Sequence, residues 1–241
     1  MTASGKINAP LQVLSTGAPK GGVSGCSAAF KEQTGREVIV TFVTAPVLRD
    51  RVEAGSAQAD VVVAPLARMD AFEAARNVLP GIRTILGSVK AGVVVRKGAP
   101  EPDISSVESL KAAILAADSI VYNVATSGQY IVQMMEKLGV ADAIKDKIVT
   151  VPNGAGVMMH LADSLAAKEI GFGQLTEIRV HEDRGVAVKL VGALPAGVEN
   201  VTTYCAGIFA KADDPAVAKN LVGFMASAEG QALCRASGLE R

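Results

Sequence analysis

Short apolar runs alternate with longer amphipathic segments along most of the chain. The first three runs are LQVLST (11–16), EVIVTFVT (37–44) and ADVVVAP (59–65). They are rich in Val and almost continuously apolar, which is typical of parallel strands that are buried on both faces. The segments between them end at Gly35 and Gly55, and glycine is favoured just beyond the C-terminus of a helix. The pattern therefore predicts a right-handed βαβαβ unit at the start of the chain.

The pattern is interrupted within residues 87–103, where a strand, AGVVVRK, runs into the Gly- and Pro-rich segment GAPEPD. Such a segment cannot form the interior of a helix. A second series of alternating helices and strands follows up to EIGFGQ, and then a return strand pair and C-terminal helices. We expect two α/β domains, formed by residues 1–92 plus 203–241 and by residues 93–202. The default ligand site in this architecture is a cleft between the two domains.

Composition narrows the functional classes. The 241 residues include 24 basic and 24 acidic side chains, so the net charge gives no indication of nucleic-acid binding. No apolar run is long enough for insertion into a membrane. The three cysteines and two histidines lack metal-site spacing, and we expect neither a metal nor a cofactor. One disulfide bond among the cysteines is left open.

The N-terminal residues MTASGKINAP are polar and contain no apolar core of a signal peptide. The expected location is therefore cytoplasmic, or periplasmic if a leader has been removed. The distinction matters because a transport receptor has to leave the cytoplasm.

Four loops follow a predicted strand and open a predicted helix. They lie at Ser15–Pro19, Thr44–Pro46, Thr126–Gly128 and Gly154–Gly156. Backbone N–H groups and the positive ends of helix dipoles meet in such loops, which favours binding of a small anion. The small and hydroxyl residues could equally be ordinary turn residues, since Ser and Thr are common at helix starts.

Several longer phrases carry a resemblance to a known family. They are VLSTGA, LRDRVEAGSAQADVVV, GVVVRKGAPEPDISS, TSGQY, EIGFGQLTEI and TTYCAGI. Together they resemble type II periplasmic binding proteins, and more narrowly the molybdate-binding-protein-like group of bacterial extracellular solute-binding proteins. The resemblance implies a two-domain Venus-flytrap fold, in which each domain is a mixed, mostly parallel sheet flanked by helices. It also implies a monomer that closes on a small anionic ligand and delivers it to an ABC permease.

The resemblance further implies which residues bind the ligand. These are Thr16, Gly17, Ala18, Thr44, Ala45, Ser127, Gly128, Gly156 and Gln174. Ala18 stands where the molybdate binders have a serine, and Gln174 stands where they have a tyrosine. Thr44 keeps the hydroxyl of the second loop. The altered set favours an organic carboxylate over molybdate.

An enzyme offers the alternative function. Aconitate isomerase is similar to this family, and a closed cleft that holds carboxylates at helix N-termini would assist a proton shift in a small polycarboxylate. His160 and Glu177 are the candidate bases. His160 lies four residues after Gly156, on the same helical face, although a packing role for a histidine there is the other interpretation. We expect binding rather than catalysis.

Overall fold

The computed structural model of the chain describes residues 9–240, with the exception of the side chain of Thr126. Within these residues, nine strands and ten helices alternate much as the sequence predicts. The strands are β1 (Leu11–Thr16), β2 (Val38–Val43), β3 (Val61–Pro65), β4 (Val78–Arg96), β5 (Ser119–Asn123), β6 (Ile148–Val151), β7 (Glu169–Gln174), β8 (Val188–Ala193) and β9 (Val201–Phe209). The helices are α1 (Lys20–Thr34), α2 (Ala45–Glu53), α3 (Leu66–Ala74), α4 (Val107–Ala116), α5 (Thr126–Lys137), α6 (Ala141–Ile144), α7 (Gly154–Asp163), α8 (Leu175–Asp183), α9 (Pro215–Ala226) and α10 (Ala228–Ala236).

The chain divides into two compact units. Unit 1 comprises the residues up to Ser88 together with those from Thr202 onward, and unit 2 comprises Val89–Val201. The first boundary falls inside β4, and the second falls at the start of β9. The sequence analysis placed these boundaries at 92/93 and 202/203.

Unit 1 is built on the βαβαβ pattern of the first three strands. Strand β1 lies between β2 and β3 and is parallel to both, while β9 pairs antiparallel with β3. Helices α2 and α3 cover one face through a buried cluster that includes Leu48, Met69 and Phe72. On α1, Gly35 adopts φ 70° directly after the last helical residue, as glycine at a helix end is expected to do.

Unit 2 has a mixed sheet that is buried on both faces. Strand β5 lies parallel to β6 and β7, and β4 pairs antiparallel with β7 and β8. Alternate residues of one strand enter different cores: Ile120 belongs to a cluster with α4 and α5, and Val121 to a cluster with α7 and α8. Ser106 caps α4 by accepting the Ser109 N–H at 3.0 Å.

The strand predicted over residues 91–97 is the second half of a longer strand, since β4 runs for 19 residues from Val78. The helix predicted over residues 66–78 is shorter than expected, because α3 ends at Ala74. The helix ends early because Arg76 adopts φ 59°, which a continuing right-handed helix does not allow. The short helix α6 was also missed.

The cysteines are buried thiols. The sulfurs of Cys26 and Cys234 lie 4.0 Å apart, which is too far for a disulfide bond. Cys205 is buried in unit 1, with its sulfur 3.9 Å from the carbonyl oxygen of Ala64. Burial raises the pKa of Cys205 to about 12.

Candidate functional site

The predicted ligand residues lie at one edge of each sheet. Since β1, β2 and β3 are parallel, their C-terminal ends share an edge, and Thr16 pairs in register with Val43. The same holds for β5, β6 and β7, where Asn123 pairs with Val151. We call these the C-terminal edges of unit 1 and unit 2. Thr16, Gly17, Ala18, Thr44 and Ala45 lie at the first edge, and Ser127, Gly128, Gly156 and Gln174 lie at the second.

The edge of unit 1 holds a buried hydroxyl without a partner. Thr16 is the last residue of β1 and is 4% exposed. Its Oγ1 has no hydrogen-bond partner among the described residues, although buried polar groups are nearly always satisfied. The next helices begin without side-chain caps, since neither Pro19 before α1 nor Thr44 before α2 caps the first turn. This edge therefore offers a hydroxyl and two uncapped helix starts to a bound group.

The edge of unit 2 holds a comparable amide. Gln174 is the last residue of β7, is 5% exposed, and lies directly before α8. Its Oε1 is buried and has no hydrogen-bond partner within residues 9–240. The backbone of Gln174 is held in register with Ala91 of β4, so the side chain starts from a fixed position. Gln174 thus presents a buried acceptor that no group within residues 9–240 satisfies.

Asn123 organises the loop that follows β5. It is 2% exposed, donates from Nδ2 to Ser127 Oγ at 3.0 Å, and accepts the Ala125 N–H at 2.8 Å. Gly128 passes so close that a β-carbon there would lie 2.6 Å from the Asn123 carbonyl carbon. Asn123 was not among the residues predicted from the sequence. An asparagine at the end of a buried strand, followed by a helix whose first turn contains Ser–Gly, is the signal that could have identified it.

A side chain of the same chain already caps the first turn of helix α7. Asn153 Oδ1 accepts the Gly156 N–H at 2.9 Å, so the predicted ligand donor Gly156 is bonded to its own cap. Glu177 of α8 lies over Gly154, where an added β-carbon would be 2.7 Å from Glu177 Oε1. A carboxylate is favourable at a helix N-terminus. The Glu177 carboxylate therefore places a negative charge at the C-terminal edge of unit 2, on the helix that begins directly after Gln174.

His160 lies at the opposite edge of unit 2. Its Nε2 is 3.1 Å from Glu169 Oε1, and Ser119 Oγ donates to the same oxygen at 2.5 Å. Glu169 is the first residue of β7, whereas Gln174 is the last. His160 is therefore at the N-terminal edge of unit 2, separated from the residues predicted to bind the ligand. Glu177, the other candidate base, is at the C-terminal edge.

The Glu169 carboxyl remains charged although it is 4% exposed. Burial would raise its pKa, but hydrogen bonds from Ser119, Ser164 and His160 outweigh burial and lower the pKa below its ordinary value. A cavity of about 430 Å³ adjoins this group and is lined by the segment before α4 (100–103), by one face of α4 and by residues 168–170. The described contacts give this cluster a structural role at the N-terminal edge of the sheet.

No set of three or more His, Cys, Asp or Glu side chains within residues 9–240 is placed to hold a metal ion. In the same part of the chain, no helix has the length and hydrophobicity needed to span a bilayer.

Comparison with known proteins assigns the family. A model of bacterial extracellular solute-binding proteins matches residues 11–240. The chain belongs to this family. The match spans both units and includes every predicted ligand residue.

Individual relatives of this solute-binding protein fall into two groups. An aconitate isomerase from Pseudomonas sp. is 26% identical over 238 residues, covering 95% of this chain and 87% of that enzyme. The periplasmic molybdate-binding protein of Azotobacter vinelandii is 18% identical with a TM-score of 0.74, covering 96% of this chain and 99% of its own. L-phospholactate-bound PEB3, the Campylobacter jejuni protein, is 15% identical with a TM-score of 0.70, covering 96% and 99%. The two structures establish the type II periplasmic-binding-protein fold predicted from the sequence.

Proposed function

We propose that this solute-binding protein binds a small organic carboxylate and serves as the receptor of an ABC-type uptake system. The proposal rests on two of the buried side-chain atoms that have no hydrogen-bond partner among the described residues, Thr16 Oγ1 and Gln174 Oε1. Leaving such atoms without partners is costly. Both lie at positions predicted to contact ligand, and a bound molecule would supply the missing hydrogen bonds.

The side chains at the edges favour a carboxylate over a metal oxyanion. Ala18 offers no hydroxyl where the molybdate binders have a serine, and Gln174 is a neutral amide with both a donor and an acceptor. Glu177 adds a negative charge next to the start of α7, which would repel a compact dianion. An organic acid spreads its charge over a larger molecule, and a carboxylate of such an acid is favourable near the uncapped starts of α1 and α2.

In this function, binding drives closure of the two units without any chemistry. The ligand stabilises the closed arrangement only as far as it binds that arrangement more tightly than the open one. Transport then requires that a permease distinguish the two arrangements.

A thermal-shift panel tests the proposal. The purified protein is heated with citrate, cis- and trans-aconitate, sulfate, molybdate or tungstate. A true ligand at a hundredfold excess over Kd stabilises by about 2.7 kcal/mol, which raises Tm by about 5–11 °C. We expect this rise with at least one carboxylate and no rise with molybdate or tungstate. No rise with any carboxylate would contradict the proposal.

A pair of variants shows whether the shift comes from the proposed site. Thr16→Val keeps the shape of the side chain and removes the unsatisfied hydroxyl, so the ligand-induced shift should decrease. Thr41→Val makes the same exchange at an exposed position in β2 and should leave the shift unchanged.

Isomerisation of a polycarboxylate is the second candidate function. The match to an aconitate isomerase over 95% of the chain favours it, as does the position of Glu177 at the C-terminal edge. A carboxylate there could remove a proton from the carbon next to a bound carboxylate and return it to the far carbon of the double bond. Glu177 is the base in this candidate, because His160 lies at the other edge of the sheet.

Proton NMR of a trans-aconitate solution tests the second candidate. Conversion to the cis isomer that is lost in Glu177→Gln and kept in Glu182→Gln would support catalysis, since Glu182 lies on the same helix, 3.6 Å from Lys189. If the wild-type protein leaves trans-aconitate unchanged, the chain is not an aconitate isomerase.

A further inference from the structure

The Gln174 side chain combines three features that constrain its ligand. Its backbone is fixed by the pairing of β7 with β4, its side chain is 95% removed from solvent, and its Oε1 has no partner in the described chain. An amide oxygen accepts hydrogen bonds, so a ligand that carries a hydrogen-bond donor would satisfy this atom.

Common small anions do not supply that donor. Ionised molybdate, sulfate and simple carboxylates present only acceptor oxygens. They can accept from the Nε2 group of Gln174, but they leave Oε1 without a partner. A hydroxyl beside a carboxylate supplies both hydrogen-bond partners of the amide, because the hydroxyl donates to Oε1 while a carboxylate oxygen accepts from Nε2.

We propose that Gln174 selects carboxylates that carry a hydroxyl group, so that the ligand is a hydroxy acid. The inference rests on the proposed function, in which an organic carboxylate reaches the C-terminal edge of unit 2. Gln174 acts as a specificity-determining residue in this role. The ligand undergoes no reaction in this role and needs only a hydrogen-bond donor next to an anionic acceptor.

Ligand pairs that differ by one hydroxyl test the inference. Citrate and tricarballylate form one pair, and malate and succinate form a smaller one. Isothermal titration should show that the hydroxy acid of at least one pair binds about tenfold or more tightly than its unsubstituted partner. In Gln174→Leu, which removes the amide at similar volume, the ratio of affinities should fall close to one.

A control and a second variant keep the test decisive. Gln129→Leu makes the same exchange on the exposed side of α5 and should retain the wild-type ratio. If Gln174→Leu does not fold, as judged by circular dichroism, Gln174→Met removes the amide with a more adaptable side chain.

The outcomes separate this inference from the proposed function. Binding of the unsubstituted acid as tightly as the hydroxy acid, or an unchanged ratio in both Gln174 variants, overturns the inference and leaves carboxylate binding intact. If neither pair binds at all, the inference and the proposed carboxylate function both fail.

Discussion

Gly128 is the position where one methyl group should have the largest effect on the candidate site. The start of α5 passes so close to the end of β5 that a β-carbon at residue 128 would lie 2.6 Å from the Asn123 carbonyl carbon. Contacts below 3.0 Å essentially never occur at a β-carbon, and the carbonyl oxygen is nearer still. The obstacle is backbone, since Asn123 is paired in register with Val151.

The magnitude follows from which part has to move. A side chain could rotate away from the new methyl group, but here β5 or the first turn of α5 must shift. Overpacking against rigid surroundings costs about 3 kcal/mol or more. For a chain of this length, 1 kcal/mol corresponds to about 2–4 °C in Tm. Gly128→Ala should therefore lower Tm by about 6–12 °C and reduce the ligand-induced shift, because Ser127 moves with the turn.

Gly223→Ala is the matched control. Gly223 lies within α9, where an added β-carbon meets no atom within 4 Å. Alanine is a better helix former than glycine by about 0.5–1 kcal/mol, so this variant should raise Tm slightly. Differential scanning calorimetry of both variants gives the comparison. Equal shifts in Tm for Gly128→Ala and Gly223→Ala would refute the close approach of α5 to β5.

Three further predictions concern the stability of the fold and the reactivity of its thiols. Glu169→Gln should lower the free energy of unfolding by about 1–3 kcal/mol at neutral pH. Because the folded-state pKa of Glu169 is lowered, this stabilisation is present above the unfolded pKa, about 4.3, and is lost as the pH falls through the folded value. If urea unfolding shows the same difference in stability between wild type and variant in acid, the prediction is wrong. The thiols of Cys26 and Cys205, which are buried and have raised pKa values, should resist a disulfide reagent in the native protein and react after denaturation, and rapid native labelling would contradict their burial. Asn153→Ala should cost about 1 kcal/mol by removing the cap on the Gly156 N–H, measured by the same unfolding assay, whereas unchanged stability would show that the cap contributes nothing.

Local sequence signals predicted much of the fold. Strand β3 lies within a predicted apolar run, and α1 ends at Gly35 as predicted. From parallel strands alone it also followed that residues such as Thr16 and Thr44 would share an edge, because the C-terminal ends of parallel strands meet there. These features depend on residues within one or two turns of each other, where the pattern is informative.

Contacts between distant segments were not predictable in the same way. His160 has helical spacing to Gly156, but spacing defines a face of the helix and not the partner, which is Glu169 at the N-terminal edge. The approach of Glu177 to Gly154 joins two helices through the fold, and no local pattern marks it. The first half of β4 was not predicted, because the left-handed turn at Arg76 that ends the preceding helix has no glycine to mark it.

A structure with a bound hydroxy acid such as citrate tests the central claim most directly. We expect the bound acid within hydrogen-bond distance of the Gln174 side chain, with a ligand hydroxyl donating to Gln174 Oε1. A ligand bound elsewhere, for example in the cavity beside Glu169, with Thr16 and Gln174 both still lacking a partner, would contradict it.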